Sequence, residues 1–395
     1  MRRRGFRPGL ILVALALSAC DSGEPAGDMG VARDTLPGGT PLVVNQGGGI
    51  WGPEERWTLE EEWRVGSVEG EGPAVFTWLN DLALDAQGTA YLVDGSTREI
   101  RVFDPQGVWI RTMGGEGAGP GEFRNVNGLT FGPDGTLWVS DPGNGRYARF
   151  SAEGELLGTH PRTLGFFSIP WMGGMTRDGV LWDQGMVPGE GAPQGRHALL
   201  RLDSSAQPVD TFPVPIREPE LFVLEGLMTV TVPFTPTTVW LLDPGGDVWI
   251  GDNDRYRIHR VALPGWDTVA AMERHSQPLA VTPEAQEAAL ENLAFFTEQG
   301  GQVDLSRIPS TMPHFIQLVP DDGDHLWVVP PGALGGRTFD TLDVFDPEGA
   351  FLGTVATPVP LALYPSPVIQ GDRLVGITLD ELEVQYLVSL RIRGR

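Results

Sequence analysis

A short strand-and-turn pattern that recurs along the chain limits its fold more than any other feature. It is clearest between residues 134 and 154, where an Asp-Gly turn, an apolar run, a Pro-Gly-Asn-Gly turn and a second apolar run follow one another. The apolar spacing is typical of short strands and not of helices. An apolar residue four positions before Gly or Ala marks five copies, at Phe103, Phe150, Leu202, Val261 and Phe345.

The spacing of these copies predicts the architecture. Successive copies lie 47, 52, 59 and 84 residues apart, a period near fifty. Such a period is typical of four-stranded sheets in a radial array, so we predict an all-β, six-bladed β-propeller over residues 51–395. Trp57–Val65 lacks a strand before it and Tyr386–Ile392 lacks one after it, so their pairing would close the ring. Alternatively, the three glutamates in Trp57–Val65 would permit a short helix.

Two segments interrupt the pattern. Residues 282–299 are predicted to be a helical insertion, because Thr282 and Pro283 suit a helix start and two glycines follow residue 299. The helix either packs on the rim of the propeller or forms a lid over one mouth of its channel. Gln184–Gly195 is rich in Gly and Pro and is predicted to be a long loop.

Repeated side chains have a structural interpretation. Asp94, Asp141 and Asp252 each end an apolar run, and we expect their carboxylates to accept hydrogen bonds from turn N–H groups. An aromatic residue recurs within the same runs, and we expect it to pack between blades. The members of this aromatic series are Tyr91, Trp138, Trp182, Trp249 and Trp327.

The first twenty residues predict export. Arginines at positions 2–7 precede the apolar segment Leu10–Leu17, which is too short to span a bilayer. Leu17-Ser18-Ala19-Cys20 resembles the lipobox of bacterial lipoproteins, which implies a signal peptide over residues 1–19 and a lipid on Cys20. Ordinary signal cleavage that leaves a free thiol is the alternative. Residues 20–50, rich in Gly, Asp and Pro, are predicted to be a flexible tether.

Net charge excludes one class of partner. The chain carries a formal charge of −24, and its 28 basic residues are all Arg. Nucleic-acid binding needs a basic footprint, so we expect no nucleic-acid partner. The acidic surface either keeps an exported protein soluble or attracts cations and basic ligands.

The repeat also predicts a set of channel residues. In the first five blades the innermost strand starts eight residues before the turn Gly, or nine in the fifth, which places one side chain of each of these blades at one mouth of the channel, with Asp81 beside them. The sixth blade is too irregular to assign. These polar and aromatic side chains would suit a polar ligand or a hard cation such as Ca²⁺. The predicted set is Asn80, Asp81, Asn127, Trp171, Thr238 and His314.

The stretch Asp141-Pro142-Gly143-Asn144-Gly145-Arg146-Tyr147 resembles the NHL repeat, whose hallmark is Asp, then Asn, then Arg before an apolar residue. The resemblance implies a propeller like those of bacterial NHL-like lipoproteins. Its relatives include amidating lyases, antibiotic-linearising lyases, lactone hydrolases and binding platforms. Six-bladed calcium-dependent lactonases hold their metal with Asn and acidic residues, but a matching Glu has no counterpart in this sequence.

These observations favour a binding protein. We expect an exported, lipid-anchored propeller in the cell envelope, periplasmic or surface-exposed, that binds a small molecule or a protein partner. The alternative is a metal-dependent lyase or lactone hydrolase with its site in the channel and a divalent cation as cofactor. The sequence contains no H-E-x-x-H, G-x-S-x-G or Walker motif, and its six histidines lack close metal-ligand spacing.

Overall fold

The computed structural model describes residues 30–70, 72–163, 168–189, 192–332 and 336–395. The predicted signal peptide, Cys20 and the first part of the predicted tether lie outside these residues. Across the described residues the chain is all-β, with strands in many antiparallel sheets and a few short helices. No helix within these ranges has the length and apolar character needed to cross a bilayer.

Three strands precede the repeats, and then groups of four antiparallel strands follow, which we call units. The early strands are β1 (Val31–Thr35), β2 (Pro41–Asn45) and β3 (Thr58–Val65). Unit 1 comprises β4 (Leu79–Leu84), β5 (Ala90–Asp94), β6 (Glu99–Phe103) and β7 (Trp109–Gly114). Unit 2 comprises β8 (Gly128–Phe131), β9 (Leu137–Asp141), β10 (Arg146–Phe150) and β11 (Leu156–Pro161). Unit 3 comprises β12 (Gly174–Met175), β13 (Leu181–Gly189), β14 (Ala192–Leu202) and β15 (Pro208–Pro213).

The second half of the chain adds a hairpin, two helices and the remaining units. The hairpin is β16 (Leu221–Leu224) with β17 (Met228–Thr231). Unit 4 comprises β18 (Thr238–Leu242), β19 (Val248–Asp252), β20 (Arg257–Ala262) and β21 (Asp267–Arg274). Helices α1 (Pro283–Glu291) and α2 (Ala294–Glu298) follow. Unit 5 comprises β22 (Gln317–Pro320), β23 (Leu326–Val329), β24 (Thr338–Phe345) and β25 (Phe351–Ala362). Unit 6 comprises β26 (Val368–Gln370), β27 (Arg373–Leu379), β28 (Gln385–Arg393) and β3.

The two ends of the repeat region meet in unit 6. Strand β3 pairs antiparallel with β28 along its length, so the predicted pairing of these segments is present and the alternative helix is wrong. Two of the three glutamates that would have suited a helix instead form ion pairs across the strands, and Glu61 pairs with Arg64 within β3. Glu60 contacts Arg393 at 2.8 Å, and Glu62 contacts Arg391 at 2.6 Å. Units 5 and 6 are also joined into one sheet where Leu361 pairs with Thr378.

The predicted tether is wrong for the part that the structure describes. Strand β2 pairs in parallel with β21, the outer strand of unit 4, and β1 pairs with β2. The backbone N–H groups of Ile50 and Trp51 then donate to carbonyls of unit 5 before the chain enters β3. Residues 30–57 therefore run along units 4, 5 and 6, and we call this segment the strap. Leu42 and Val43, which the composition placed in a tether, are buried because β21 supplies a partner strand.

The strap is fastened at Asn45, whose side chain is 1% exposed. Its amide nitrogen donates to the carbonyls of Glu273 in unit 4 and Gly349 in unit 5, both at 3.1 Å. Its amide oxygen accepts from the backbone N–H of Phe351 at 2.8 Å. One side chain thus satisfies backbone groups of two adjacent units.

The insertion and the Gly/Pro-rich segment differ in detail from their predictions. Helix α1 starts where Thr282 accepts a hydrogen bond from the N–H of Ala285, as its sequence predicts, but the helix ends at Glu291 and α2 begins three residues later. Gln184–Gly195 is not a long loop. Its described residues extend β13 and β14, which continue as a hairpin with a register irregularity near Val187.

The turns between the strands of a unit have a regular geometry. In unit 1 the carboxylate of Asp85 accepts from the N–H groups of Gln87 and Thr89 at 2.9 Å, and Gly88 has a φ of +81°. In the copy where Ala replaces Gly, Ala206 adopts a φ of +57°, a conformation that costs an alanine more than a glycine. The turn geometry is therefore kept even where its preferred residue is absent.

Most of the core lies between neighbouring units. Every member of the predicted aromatic series is buried, at 9% exposure or less. Tyr91 of unit 1 packs edge-on against Phe131 of unit 2, with ring centroids 5.0 Å apart. First strands also contact across units: β4 lies against β8 and β26, β8 against β12, and β22 against β18 and β26. This arrangement places a cavity among the first strands.

Candidate ligand-binding site

A cavity of about 750 Å³ lies among the first strands of the units, and we call it the main cavity. Its described lining comes from five units: Leu84 of unit 1; Ser168–Gly173, Arg177, Gln184 and His197 of unit 3; Thr237–Leu242 and Pro244 of unit 4; Ile316–Asp322 of unit 5; and Tyr364 with Ser366–Gln370 of unit 6. Most lining side chains are apolar or aromatic. A volume of this size, with a few polar groups in an apolar wall, is typical of small-molecule sites.

The main cavity has two ends that differ in charge. One end lies where the first strands begin, which we call the strand-start end, and the other lies where they finish, which we call the strand-finish end. Charged lining residues lie at the strand-finish end, where each has a partner. Arg177 forms an ion pair with Asp324 at 2.7 Å, and Arg395 contacts Asp321 at 3.0 Å and Asp322 at 3.5 Å. These charges compensate one another, so the strand-finish end offers no unpaired ion among the described lining residues.

The carboxylate of Asp321 is held ionised by its surroundings. Burial acts to raise its pKa, but hydrogen bonds from His325 and Trp327 and the charge of Arg395 outweigh burial and lower it below its usual value. The Nε1 of Trp327 donates to Asp321 at 3.0 Å. This carboxylate therefore anchors the end of the chain to unit 5 and is already committed to protein partners.

The strand-start end carries uncharged polar groups. Gln317 is 7% exposed, and its Nε2 donates to the carbonyl of Leu363 at 3.1 Å and to the hydroxyl of Ser366 at 2.6 Å. Gln184 hydrogen-bonds the hydroxyl of Ser168 through its own amide nitrogen. Burial lowers the pKa of His197, which favours its neutral form. This end therefore suits hydrogen bonding to a neutral ligand.

Trp171, a predicted site residue, lines the cavity and is held rigidly. Its Nε1 donates to the buried carboxylate of Asp183 at 2.6 Å, and Arg162 donates to the same carboxylate at 2.6 and 3.0 Å. The hydroxyl of Tyr147 donates to Asp183 as well, and burial beside that carboxylate raises the pKa of Tyr147 well above its usual value. This network joins units 2 and 3 and fixes one wall of the cavity.

Thr238, the other predicted residue in the cavity wall, has structural partners on both sides. Its hydroxyl donates to the carboxylate of Asp252 at 2.5 Å and accepts from the backbone N–H of Arg217 at 2.7 Å. The predicted turn acceptor Asp252 thus binds a side chain here.

Asp141 accepts from the backbone N–H groups of Arg124 and Asn125, upstream of its strand, and makes no hydrogen bond to a backbone N–H of the turn that follows it, so its prediction as a turn acceptor is wrong. Asp94 does accept from its own turn, through the N–H groups of Ser96 at 3.0 Å and Thr97 at 3.4 Å.

Asn80 and Asn127 do not line the main cavity, and each connects two units. Asn80 donates to the carbonyl of Val126 at 2.7 Å, and Asn127 donates to the carbonyl of Ser168 at 3.0 Å. Asn253 of unit 4 repeats the arrangement, with its amide 2.8 Å from a carbonyl at the start of unit 5. These asparagines are inter-unit links.

Asp81 and His314 also lie away from the main cavity. Asp81 accepts from the backbone N–H of Leu129 on β8 at 2.6 Å, which occupies an N–H at the inner edge of unit 2. Burial raises the pKa of Asp81 to about 7, against the opposing effect of backbone hydrogen bonds. His314 contacts the hydroxyl of Ser276 at 2.8 Å and lines a separate polar cavity with Arg255.

The predicted metal-binding set does not fit a cation. Asn80, Asp81, Asn127 and His314 each hydrogen-bond a different part of the protein, and only Trp171 and Thr238 of the predicted set share a cavity. The buried side-chain oxygen of Asn80 has no hydrogen-bond partner among the described residues, but the other three predicted ligands are engaged elsewhere. Within the described ranges, no group of three or more His, Cys, Asp or Glu side chains is arranged to hold a metal ion. The residues present therefore do not fit a Ca²⁺ site of the kind that the resemblance implied.

Sequence reasoning missed Gln184, His197 and Gln317. Gln184 and His197 fell in or beside the predicted long loop, and Gln317 lies three residues after the position that the repeat register selected. No local motif marks them. They occupy different positions in their strands, with Gln317 first in β22, Gln184 fourth in β13 and His197 in the middle of β14, so strand pairing has to be known before they can be placed at one site.

Comparison with known proteins supports the fold only. No family profile and no curated protein matches the chain. A solved structure from Bacteroides fragilis, of a protein inferred to be exported, is similar with a TM-score of 0.51 and 12% identity, covering 89% of this chain and 99% of that one. The structure of a member of the DUF4221 family from Bacteroides vulgatus is similar with a TM-score of 0.51 and 11% sequence identity, and the match covers 86% of this chain and 99% of that one. A gluconolactonase from Xanthomonas campestris has a TM-score of 0.38 and 16% sequence identity, and the match covers 80% of this chain and 86% of that one. This structural similarity is too low to indicate a shared function.

Proposed function

We propose that the chain is a six-bladed β-propeller that binds a small molecule in the main cavity and acts as a binding protein of the cell envelope. Each unit would be one blade, with its first strand facing the channel. Two observations support closure: β3 supplies the outer strand of unit 6, and β26 of unit 6 contacts β4 of unit 1. A ring closed in this way leaves few open sheet edges.

The observation that carries the binding role is the main cavity itself. The first strands of a propeller surround a central channel, and here that channel holds a space of about 750 Å³ with a mostly apolar wall, large enough for a small molecule. Its polar groups at the strand-start end are held in fixed orientations, as Gln317 is by Leu363 and Ser366. Fixed donors and acceptors in an apolar wall orient a ligand.

The envelope location rests on the leader sequence. A basic start, a short apolar segment and Leu17-Ser18-Ala19-Cys20 together support export and lipid attachment at Cys20. A lipidated Cys20 would leave only ten residues before the strap begins at residue 30. An extended chain of that length reaches roughly 35 Å, so the propeller would stay close to the membrane surface.

A metal-dependent lyase or lactone hydrolase receives no support from the donor set. The side chains that would have held the cation are dispersed among four structural contacts. We therefore propose binding, with no catalytic step.

A neutral fluorescent dye, N-phenyl-1-naphthylamine, tests the binding role in the full-length chain. Val368 lines the main cavity, so Val368→Trp should fill part of it and weaken dye binding about tenfold or more. The matched control is Val269→Trp on the exposed outer strand of unit 4, which should leave the affinity unchanged. A lipid-anchored chain is handled in detergent, and detergent micelles also bind the dye. Because every variant carries the same N-terminus, this background is the same for all of them and cancels when their affinities are compared. Equal affinities for the two folded variants would overturn the proposed site.

A further inference from the structure

A second cavity adjoins the main cavity beneath the insertion. Its volume is about 360 Å³, and we call it the insertion cavity. Thr237 and Ile316 line both cavities, so the two spaces meet at the strand-start end. The insertion lines this cavity through Ala289 of α1 and through Asn292 and Leu293, which follow α1. Leu293 also belongs to a core with Phe296 of α2 and Phe222 of the hairpin β16–β17.

The insertion cavity offers no charge to a ligand. None of its described lining residues is ionisable, and most are apolar, among them Phe234, Leu293 and Met312. Its polar lining is mainly engaged inside the protein. Asn253 donates to Phe315 and accepts from the N–H of Thr237, and the hydroxyl of Thr235 donates to a backbone carbonyl.

Phe234 in the wall of this cavity has an unusual backbone. Its φ is +60°, in the left-handed region that bulky residues seldom occupy. Such conformations persist where the surrounding structure enforces them, and they concentrate at ligand sites. The fold therefore holds an aromatic side chain against an unfilled apolar space at an energetic cost.

The strand-start end of the main cavity has the same neutral character. Its described polar lining consists of amides, hydroxyls and an imidazole, whereas the charged lining residues lie at the opposite end. The carboxylates behind this lining are already paired, Asp183 with Arg162 and Asp252 with Arg217. A charged ligand group at the junction of the two cavities would lose water without gaining a counter-charge. Removing an uncharged polar group from water costs much less free energy.

We propose that the insertion cavity is a second subsite, and that the ligand is an uncharged amphiphile. Its polar part would hydrogen-bond at the strand-start end of the main cavity, and its apolar part would lie in the insertion cavity against Ala289 of α1 and Leu293. This inference rests on the proposed binding role of the main cavity and adds the chemical class of the ligand.

The subsite is tested by filling it. Ala289 on α1 lines the insertion cavity, so Ala289→Trp should weaken binding of N-phenyl-1-naphthylamine by about tenfold. Glu287→Trp places the same side chain on an exposed position of the same helix and should change the affinity less than about twofold. Ala289→Leu, a smaller substitution with a good helix former, serves if the Trp variant has a lowered melting temperature.

The charge requirement is tested with 1-anilinonaphthalene-8-sulfonate, which keeps the aromatic framework and adds an anion. It should bind the wild-type chain at least about tenfold more weakly than the neutral dye. Equal or tighter binding of the sulfonate would overturn the neutral-ligand inference. If Val368→Trp weakens neutral-dye binding while both Ala289 variants bind normally, the main site stands and the second subsite is wrong. If neither position matters, the proposed binding function fails as well.

Discussion

Asn127 is fully buried between two units and uses both ends of its amide. The nitrogen donates to the carbonyl of Ser168, and the oxygen accepts from the hydroxyl of Ser140 at 2.9 Å. At the scale of single residues, polar side chains of this kind link adjacent units through backbone groups that strand pairing leaves free.

Replacing Asn127 by Ala should lower the free energy of unfolding by about 2–3 kcal/mol, because a buried carbonyl and a buried hydroxyl lose their partners. Asn125→Ala, two residues away on an exposed side chain, should cost less than about 0.5 kcal/mol. Urea unfolding followed by circular dichroism measures both. Equal losses for the two variants would contradict the linking role.

Asp81 should make stability depend on pH in a defined direction. Its folded-state pKa of about 7 lies above the ordinary value of 3.8, so the native chain keeps a proton that the unfolded chain releases. Its contribution to the free energy of unfolding is fully present below pH 4 and is lost as pH rises through 7. Asp81→Asn keeps an acceptor for Leu129 and removes the ionisation.

The free energy of unfolding of Asp81→Asn should therefore exceed that of the wild type by an amount that grows between pH 4 and pH 8, to at most about 4 kcal/mol. Asp340→Asn, on an exposed side chain, should follow the wild type across the same range. Unfolding curves at a series of pH values measure the difference. Parallel curves for the wild type and Asp81→Asn would show that Asp81 has an ordinary pKa.

The position of strand starts could be predicted at this scale, but the direction of side chains could not. The glycine register located Asn80, Asn127 and Thr238 at or beside the start of first strands. An irregular pairing between β4 and β5 near Asp81 then alters which neighbour each side chain faces. Such a bulge depends on contacts with the next unit, which sequence spacing does not contain.

At the scale of elements, the strap shows that pairing with a strand distant in sequence can order a segment whose composition favours a flexible chain. Its composition favours a flexible tether, yet β2 lies against β21, more than two hundred residues later in the chain. Leu42 and Val43 are buried through that pairing, and Val43 also lies against Gly349 of unit 5. The helix start at Thr282 could be predicted, since an N-cap is a local interaction.

Asn45→Ala should detach the strap from units 4 and 5. Three hydrogen bonds to buried backbone groups are lost, so we expect the free energy of unfolding to fall by about 2–4 kcal/mol. Amide hydrogen exchange should also accelerate in β2 and in residues 349–351. Gln46→Ala, on the neighbouring exposed side chain, is the control and should leave exchange unchanged. Unchanged exchange in Asn45→Ala would contradict the fastening role.

At the scale of the whole molecule, the predicted lipid anchor determines where binding occurs. Cys20→Ser removes the only cysteine and with it the acceptor for a lipid. We expect this variant to shift from the membrane fraction to the soluble fraction of the envelope, or to keep its uncleaved leader. Cell fractionation with immunoblotting against the wild type measures the shift. Mature Cys20→Ser protein that stays with the membrane in wild-type proportion would contradict lipid anchoring.

The all-β class and the pairing of the terminal strands could be predicted because turns and apolar runs recur in the sequence. The cavities could not, because they arise from the spaces between units and from the insertion that covers one of them. Gln184 and Gln317 come together only when units 3 and 5 face the same space.

The central claim is that the chain forms a six-bladed propeller with a small-molecule site in its channel. A crystal structure of the full-length chain with bound N-phenyl-1-naphthylamine tests this claim most directly. We predict six four-stranded blades around one channel, with β3 as the outer strand of the last blade and the dye between Gln317 and the insertion. An open arrangement of the units, or a dye molecule bound outside both cavities, would contradict it.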